Sequence, residues 1–360
     1  MSTARPVLVV TNHAPGFRVG AFAALHARED AVFALVGGDV RHGGGGTGDD
    51  ALPFPVRRVD QRAVLGLATS GAFRAVVAGI SGKVSLPAAY LGARRAGVPF
   101  VLWATIWAHP RTAAHALSYA PMRHLYRHAD AIATYGPHVS AYVRRKGARG
   151  PVFEAPQAVD AAFWSAQVVQ PSRQAAYQVL FAGRMRGEKG TAVLLSAWRA
   201  SGLRAPAHTL VLVGGGRFRA PSSATGVMSA GPRSPEEVRN FYAGSDVLVV
   251  PSVPTRDFLE PWGLVVNEAF HQGLPVIATT AVGAVAGGLV RHERNGLVVP
   301  PGDAAALAGA LRRLEADPPL RARLGAAARE DVRPYTQQAW AAGVSRALAA
   351  VGAAREAPLP

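Results

Sequence analysis

Short apolar runs rich in valine recur along the chain and alternate with stretches of helical spacing. PVLVVTN at 6–12 ends on Asn12 and reads as a buried strand. A Pro-Gly loop follows, then a helical stretch over 19–28 and a second strand, AVFALVGG. PVRRV, AVVAGIS (75–81) and PFVLWATIW (99–107) continue the strand series. SLPAAYLGARRAG (85–97) predicts a helix closed by Gly97, since glycine readily takes the left-handed conformation of a helix end. Residues 109–129 predict a helix interrupted at Pro121, followed by a strand at 131–136, a helix at 138–146 and a strand at 152–156. Around 157–176 the strand pattern stops, and the segment reads as a linker.

A second alternating series follows the linker. Its strands are 178–185, 208–216, 226–231, 246–252 and 275–280, with GLVVPPGD after them. Its helices fall near 190–202, after Ser234-Pro235-Glu236, and over 263–272. Ser234 is suited to cap a helix and Pro235 to open it. Residues 304–352 are Ala/Leu/Arg helix. Strands alternating with helices imply a parallel sheet covered on both faces. The expected fold class is therefore α/β, with two Rossmann-like halves. The expected domains are 1–165, 166–335 and a C-terminal helix and tail over 336–360.

Composition narrows the classes. Hydrophobic residues make up 49% and charged residues 17%, which suits globular cores and excludes a disordered chain. No apolar run reaches the roughly 18 residues of a membrane span, and MSTARPVLVVTN does not resemble a signal peptide. The expectation is a cytoplasmic protein. The chain has no cysteine, so disulfides, thiol catalysis and thiolate metal sites are excluded. Net charge is +16 and is spread over both halves, and only Lys83, Lys146 and Lys189 are lysines. An arginine-biased composition explains this as well as attraction to nucleotide phosphates, lipid head groups or nucleic acid does. Basic residues cluster between Arg111 and Arg149 on apolar-patterned helices, which suggests peripheral contact with an anionic membrane.

Two stretches carry candidate chemistry. In EPWGLVVNEAF, Pro261 pushes Glu260 into extended backbone, and a helix start at Gly263–Leu264 puts Glu268 in its second turn. The two carboxylates would then act apart, on either side of first-turn N–H groups that suit a phosphate. Helix-dipole complementation by Glu260 and a solvated Glu268 are the bland alternatives. In FAGRMRGEKG, Arg184 and Lys189 stand at a strand-to-helix turn after Gly183, a pairing suited to a diphosphate or to an ordinary solvated loop. The spacing is not that of a Walker A loop.

The succession Gly-Arg-x4-Lys-Gly, Asp-Val-Leu-Val-Val-Pro-Ser, Glu-Pro-Trp-Gly-Leu-x3-Glu-Ala, Gly-x-Pro-Val-Ile-Ala and Asn-Gly-Leu-Val-Val-Pro-Pro-Gly-Asp, over 181–303, resembles retaining glycosyltransferases of family 4. The resemblance implies the GT-B fold: two Rossmann-like domains facing a central cleft, with the C-terminal helix packing back towards the N-terminal domain. It implies that Arg184 and Lys189 hold the donor diphosphate. Glu260, first of the Glu-x7-Glu motif, would contact sugar hydroxyls and Glu268 the ribose. Gly183, Gly263, Leu264 and Val265 would offer backbone contacts, and Gly214–Arg219 and Gly231–Arg233 would flank the base. In the N-terminal half, Gly20, opening a helix, and His109, before Pro110 at a helix start, are candidate contacts; His13 and His138 are further ones. The family's Gly-Gly-x-x-Glu acid is missing, with Gly288 in its place.

The implied reaction is transfer of a hexosyl or N-acetylhexosaminyl group from a nucleotide diphosphate sugar to a small-molecule, lipid or glycan hydroxyl, with retention. No Asp-x-Asp occurs, so no metal and no cofactor are expected. A nucleotide-sugar hydrolase or epimerase on the same scaffold is one alternative, and a non-catalytic binding protein is another. A nicotinamide dehydrogenase would need a Gly-x-Gly-x-x-Gly turn that VTNHAPGFRVG does not supply. Specific nucleic-acid binding is not expected.

Overall fold

The computed structural model describes residues 5–37, 52–80, 82–216 and 225–355. They form two compact units: Met1–Ala158 with Tyr335–Pro360, and Val159–Pro334. Each contains one wholly parallel sheet.

The first unit holds β1 (Val7–Thr11), α1 (Gly16–Glu29), β2 (Ala31–Leu35), β3 (Val56–Arg58), α2 (Ala63–Thr69), β4 (Ala75–Gly79), α3 (Ser85–Ala96), β5 (Phe100–Ala104), α4 (Ala113–His128), β6 (Ala131–Thr134), α5 (Pro137–Arg145) and β7 (Val152–Glu154). The strand order is β3-β2-β1-β4-β5-β6-β7, so the chain reverses direction across the sheet between β1 and β4. β4 and β5 are buried at every position, as strands covered on both faces should be. Gly97 ends α3 with a φ of 65°, as expected.

The second unit runs from α6 (Ala161–Ser165) through β8 (Tyr177–Ala182), α7 (Thr191–Ser201), β9 (His208–Val213), β10 (Val227–Gly231), α8 (Pro235–Gly244), β11 (Val247–Val250), α9 (Val265–His271), β12 (Val276–Thr279), α10 (Gly283–Ala286), β13 (Gly296–Val299), α11 (Ala304–Ala316) and α12 (Pro318–Asp331). Its order is β10-β9-β8-β11-β12-β13. The reversal here lies between β8 and β11. Ser234 caps α8 in a reciprocal box with Glu237.

Three sequence expectations change. Residues 109–129 do not form a helix interrupted at Pro121. α4 opens only after Thr112, whose hydroxyl accepts from the His115 N–H, and it continues through Pro121. The carbonyl that Pro121 leaves without a helical donor belongs to Leu117, in a solvent-exposed turn where water can satisfy it. Gly20 does not open a helix either. α1 begins at Gly16, so the Gly20 N–H is already committed within the helix. Finally, the segment read as a linker contains α6, capped by Asp160. Its buried Trp164 packs edge-on to Tyr242 at 5.7 Å, and Gln272 donates to the Ala166 carbonyl at 3.0 Å.

The last helix, α13 (Gln337–Ala349), belongs to the first unit although it follows α12 in sequence. It packs on α1, as the resemblance implied. Trp340 lies 5.2 Å from Trp103 and 5.6 Å from Phe22, ring to ring. A side chain at Gly343 would collide with the Glu154 carbonyl, so glycine lets α13 lie directly on the end of β7. Arg18 is 4% exposed; it donates to the Tyr135 hydroxyl at 2.7 Å and stands 4.8 Å from the Trp103 ring centre. Trp340→Ala is expected to destabilise this unit by about 3–5 kcal/mol, the range for truncating a buried aromatic. Urea unfolding followed by circular dichroism measures this. A loss below about 1 kcal/mol would mean that α13 is not part of the core.

Candidate active site

In an open parallel sheet, the loops at the carboxyl ends of the two strands flanking a reversal diverge and leave a crevice. In the second unit those strands are β8 and β11. The β8 loop carries Gly183, Arg184 and Lys189, and the β11 loop leads to Glu260.

Close backbone packing fixes the β8 loop. The Met185 N–H donates to the Gly215 carbonyl at 2.9 Å, and the Val253 N–H donates to the Glu188 carbonyl at 3.0 Å. Gly190 has a φ of 70°, and a Cβ there would stand 1.9 Å from the Pro251 carbonyl oxygen. Only glycine meets both demands. Lys189 is therefore held at the end of a 3-10 turn, Gly187–Lys189, directly before α7.

Glu260 is extended, as Pro261 requires, and makes a parallel bridge with Val282. The residue is 6% exposed, and its carboxylate is engaged by neighbours. It accepts from Lys189 Nζ at 2.5 Å and from Ser252 Oγ at 3.1 Å. Ser252 is itself positioned by Thr279, whose hydroxyl donates to the Ser252 carbonyl at 2.6 Å. Lys189 Nζ also lies 5.5 Å from the Phe258 ring centre. The fold thus unites the two sequence candidates in one ion pair. Arg184 joins them electrostatically: burial, then Arg186, lowers its pKa, while Glu188 and Glu260 act in the opposite sense. Among the described residues, no hydrogen-bond acceptor or ion-pair partner occupies the Arg184 guanidinium.

Gly263, at φ 91°, and Leu264 lead into α9, where Val265 is the first helical residue. No side chain caps this helix, and the Val266 N–H turns back to the Gly263 carbonyl at 3.0 Å. Glu268 falls in the first turn, not the second, because α9 opens at Val265. Its half-buried carboxylate accepts from the Tyr242 hydroxyl at 2.6 Å. Burial pushes its pKa up to about 7, against the downward pull of that hydrogen bond. Glu260 and Glu268 therefore occupy separate environments and do not share a proton.

The remaining candidates fall elsewhere. Gly214 adjoins Gly183, where a Cβ would lie 1.9 Å from the Gly183 carbonyl oxygen, and Gly231 ends β10. Arg217–Arg219 lie outside the described residues. Arg233 pairs with Glu237 on α8. Gly288 has open space around it. His109, His13, His138 and Gly20 belong to the first unit. His109 Nε2 is 2.7 Å from the His115 carbonyl, and the Gln337 side chain covers Gly20. Among the described residues, no group of three or more His, Asp or Glu could hold a metal ion. Ser252, Phe258 and Tyr242 carry no distinguishing spacing, although Pro-Ser at a strand end could have marked Ser252.

Residues 176–317 match the family model described as Glycosyl transferases group 1. Over 184 residues the chain is 35% identical to a D-inositol 3-phosphate glycosyltransferase of Corynebacterium glutamicum, a match covering 46% of this chain and 42% of that one. The corresponding enzyme of Corynebacterium diphtheriae is 33% identical over 180 residues, 46% of this chain and 40% of that one. The chain thus spans less than half the length of the curated relatives it matches. Among solved structures, Anabaena HepE in complex with UDP and glucose superposes with a TM-score of 0.72 at 17% identity, covering 96% of this chain and 99% of that one. Sucrose-phosphate synthase of Thermosynechococcus elongatus superposes at 0.71 with 19% identity, covering 95% and 98%. The fold is GT-B, and the match to the group 1 model is confined to residues 176–317. Both strands of the reversal, both loops and the Lys189–Glu260 pair lie within that segment.

The raised pKa of Glu268 makes the stability of the second unit depend on pH. The folded state holds this proton more tightly than the unfolded chain, so the contribution is full below pH 4.5 and is lost as pH rises through about 7. Glu268→Gln cannot ionise. Relative to this variant, the wild type should lose on the order of 2 kcal/mol between pH 5 and pH 8, at 1.36 kcal/mol per pKa unit. Urea unfolding of both proteins across that range checks it, and parallel curves would place the Glu268 pKa in the ordinary range.

Proposed function

We propose that the protein is a glycosyltransferase. It moves a sugar from a nucleoside diphosphate sugar to an acceptor hydroxyl, with retention of anomeric configuration and without a metal. The observation that carries this reading is the convergence of Arg184, Lys189 and Glu260 on the strand reversal of the group 1 segment. Carboxyl ends of strands at such a reversal are where open α/β sheets bind nucleotides.

The roles follow from charge and geometry. Departure of a nucleoside diphosphate leaves an oxocarbenium-like sugar and puts negative charge on the diphosphate. Arg184, with its guanidinium open, grips a phosphate through several donors. Lys189 supplies a second cation where the leaving group gains charge. Glu260 orients Lys189 and is assigned to the sugar hydroxyls. Gly183 and Gly263 let backbone approach the donor, and Leu264 and Val265 offer first-turn N–H groups. Glu268 receives the ribose beside the Tyr242 hydroxyl. A phosphate oxygen of the departing diphosphate can take the acceptor's proton, so retention needs no separate base. A solved neighbour holds UDP and glucose, and curated relatives are named for inositol phosphate; UDP-glucose, and a polyol phosphate acceptor, are therefore the first to test.

The Lys189–Glu260 pair shapes the decisive experiment. Lys189→Met removes the cationic partner of a buried carboxylate that Ser252 also contacts, so this loop lysine matters for stability too. A loss of about 1–3 kcal/mol is expected, reduced from the fully buried case because Lys189 is partly exposed. Turnover should fall about 10²-fold or more, the scale for one preorganised electrostatic group. The double variant Lys189→Met/Glu260→Gln removes the carboxylate charge as well and should recover most of the stability but none of the turnover. Chelator should leave the wild-type rate unchanged. Calorimetric unfolding and product analysis with and without acceptor supply the readouts. A double variant that regains both stability and turnover would make the pair purely structural and end this assignment.

A further inference from the structure

The first unit carries a helix with little beneath most of its length. α4 buries Leu125 and Tyr126 near its C-terminal end. No described residue from Ala113 to His124 is buried. Ala113, Ala116, Leu117 and Ala120 follow the i, i+3, i+4, i+7 spacing of a helical apolar stripe, and all four are exposed. Leu117 is 84% exposed. A helix normally turns such a stripe towards its own core; here the stripe faces solvent, and the buried positions come only in the last turns.

Charge surrounds the stripe. Between residues 104 and 153 the chain has seven basic residues and a single acid, Asp130. Asp130 is already paired with Arg94 at 3.1 Å. Arg111 and Arg123 are exposed at the two ends of the stripe, and Arg144, Arg145 and Arg149 are exposed around the end of α5. Lys146 joins the two helices: its Nζ donates to the Tyr119 hydroxyl at 3.0 Å and lies 4.7 Å from that ring's centre. The cations at the end of α5 therefore lie along the Tyr119 flank of α4, next to the exposed stripe.

We propose that α4 and the C-terminal end of α5 dock on the surface of an anionic lipid bilayer. An aliphatic stripe flanked by unpaired cations fits that partner on both counts: the stripe enters the boundary between head groups and acyl chains, while the arginines meet lipid phosphates. Nucleic acid would use the charge and leave the stripe in water. Among the described residues no helix is long and apolar enough to cross the membrane, so the contact is peripheral in kind.

Flotation of the full chain with vesicles tests this, independently of any sugar transfer. Vesicles of phosphatidylcholine with phosphatidylglycerol should carry the protein at low salt and release it at high salt, while phosphatidylcholine alone should not carry it. Leu117→Glu, at an exposed position that leaves the fold intact by circular dichroism, should reduce the bound fraction about ten-fold or more. Arg144→Ala and Arg145→Ala should each reduce it about five-fold, the scale for one basic residue near an anionic surface. Absence of flotation with the anionic vesicles overturns the proposal. So does flotation that Leu117→Glu leaves unchanged, because charge alone then holds the protein. Duplex DNA binding that weakens with the arginine variants, while vesicles fail to bind, assigns the surface to nucleic acid instead.

Discussion

Burying a carboxylate without a partner costs several kcal/mol even after the protein relaxes, and Glu260 is only 6% exposed. Glu260 meets this demand with Lys189 and Ser252. The requirement reaches well beyond two side chains. Lys189 arrives on the β8 loop and Glu260 on the β11 loop, so the pair closes only if both loops hold their paths. Gly190 permits one path by letting the backbone touch Pro251. Pro261 and the bridge to Val282 enforce the other. The ion pair is thus a consequence of the strand reversal and also a tie across it.

The same arrangement separates the two acids that the sequence sets eight residues apart. Glu260 lies beside Lys189 and Ser252. Glu268 lies against Tyr242 and the apolar body of α9, and burial favours its neutral form. Two carboxyl groups of the same chemistry therefore sit in different surroundings. One suits a fixed charge that holds a lysine in place. The other suits a group that exchanges hydrogen bonds with hydroxyls in either protonation state.

The first unit shows the opposite balance, with an interior fastened strongly and one helix fastened weakly. Trp103, Trp340, Phe22 and the Arg18 guanidinium form a dense aromatic cluster that ties the last helix of the chain to the first. α4, by contrast, is anchored through Leu125 and Tyr126 at one end, and through the Thr112 cap and His109 at the other. Its middle is committed to solvent or to whatever surface meets it.

Much of this was legible in the amino-acid order, where local physics decides. Apolar runs such as VLVVT and AVVAG marked strands buried on both faces, and Ser234-Pro235, Gly97 and the Glu260-Pro261 step behaved as their backbone preferences require. Arg184, Lys189, Glu260 and Glu268 stood out because charges at strand ends and in an apolar helix need a reason. Contacts distant in sequence were not legible. No pattern announces that Lys189 and Glu260, 71 residues apart, meet at 2.5 Å, or that Tyr242 supplies Glu268 with its donor. Gly20 read as the opening residue of a helix because the capping of α1 at Pro15 has no side-chain signature, and its real neighbour, Gln337, comes from the far end of the chain. Periodicity states which residues seek burial or a partner. Only the order of strands in the sheet, and the return of α13 to the first unit, decide which partner each one finds.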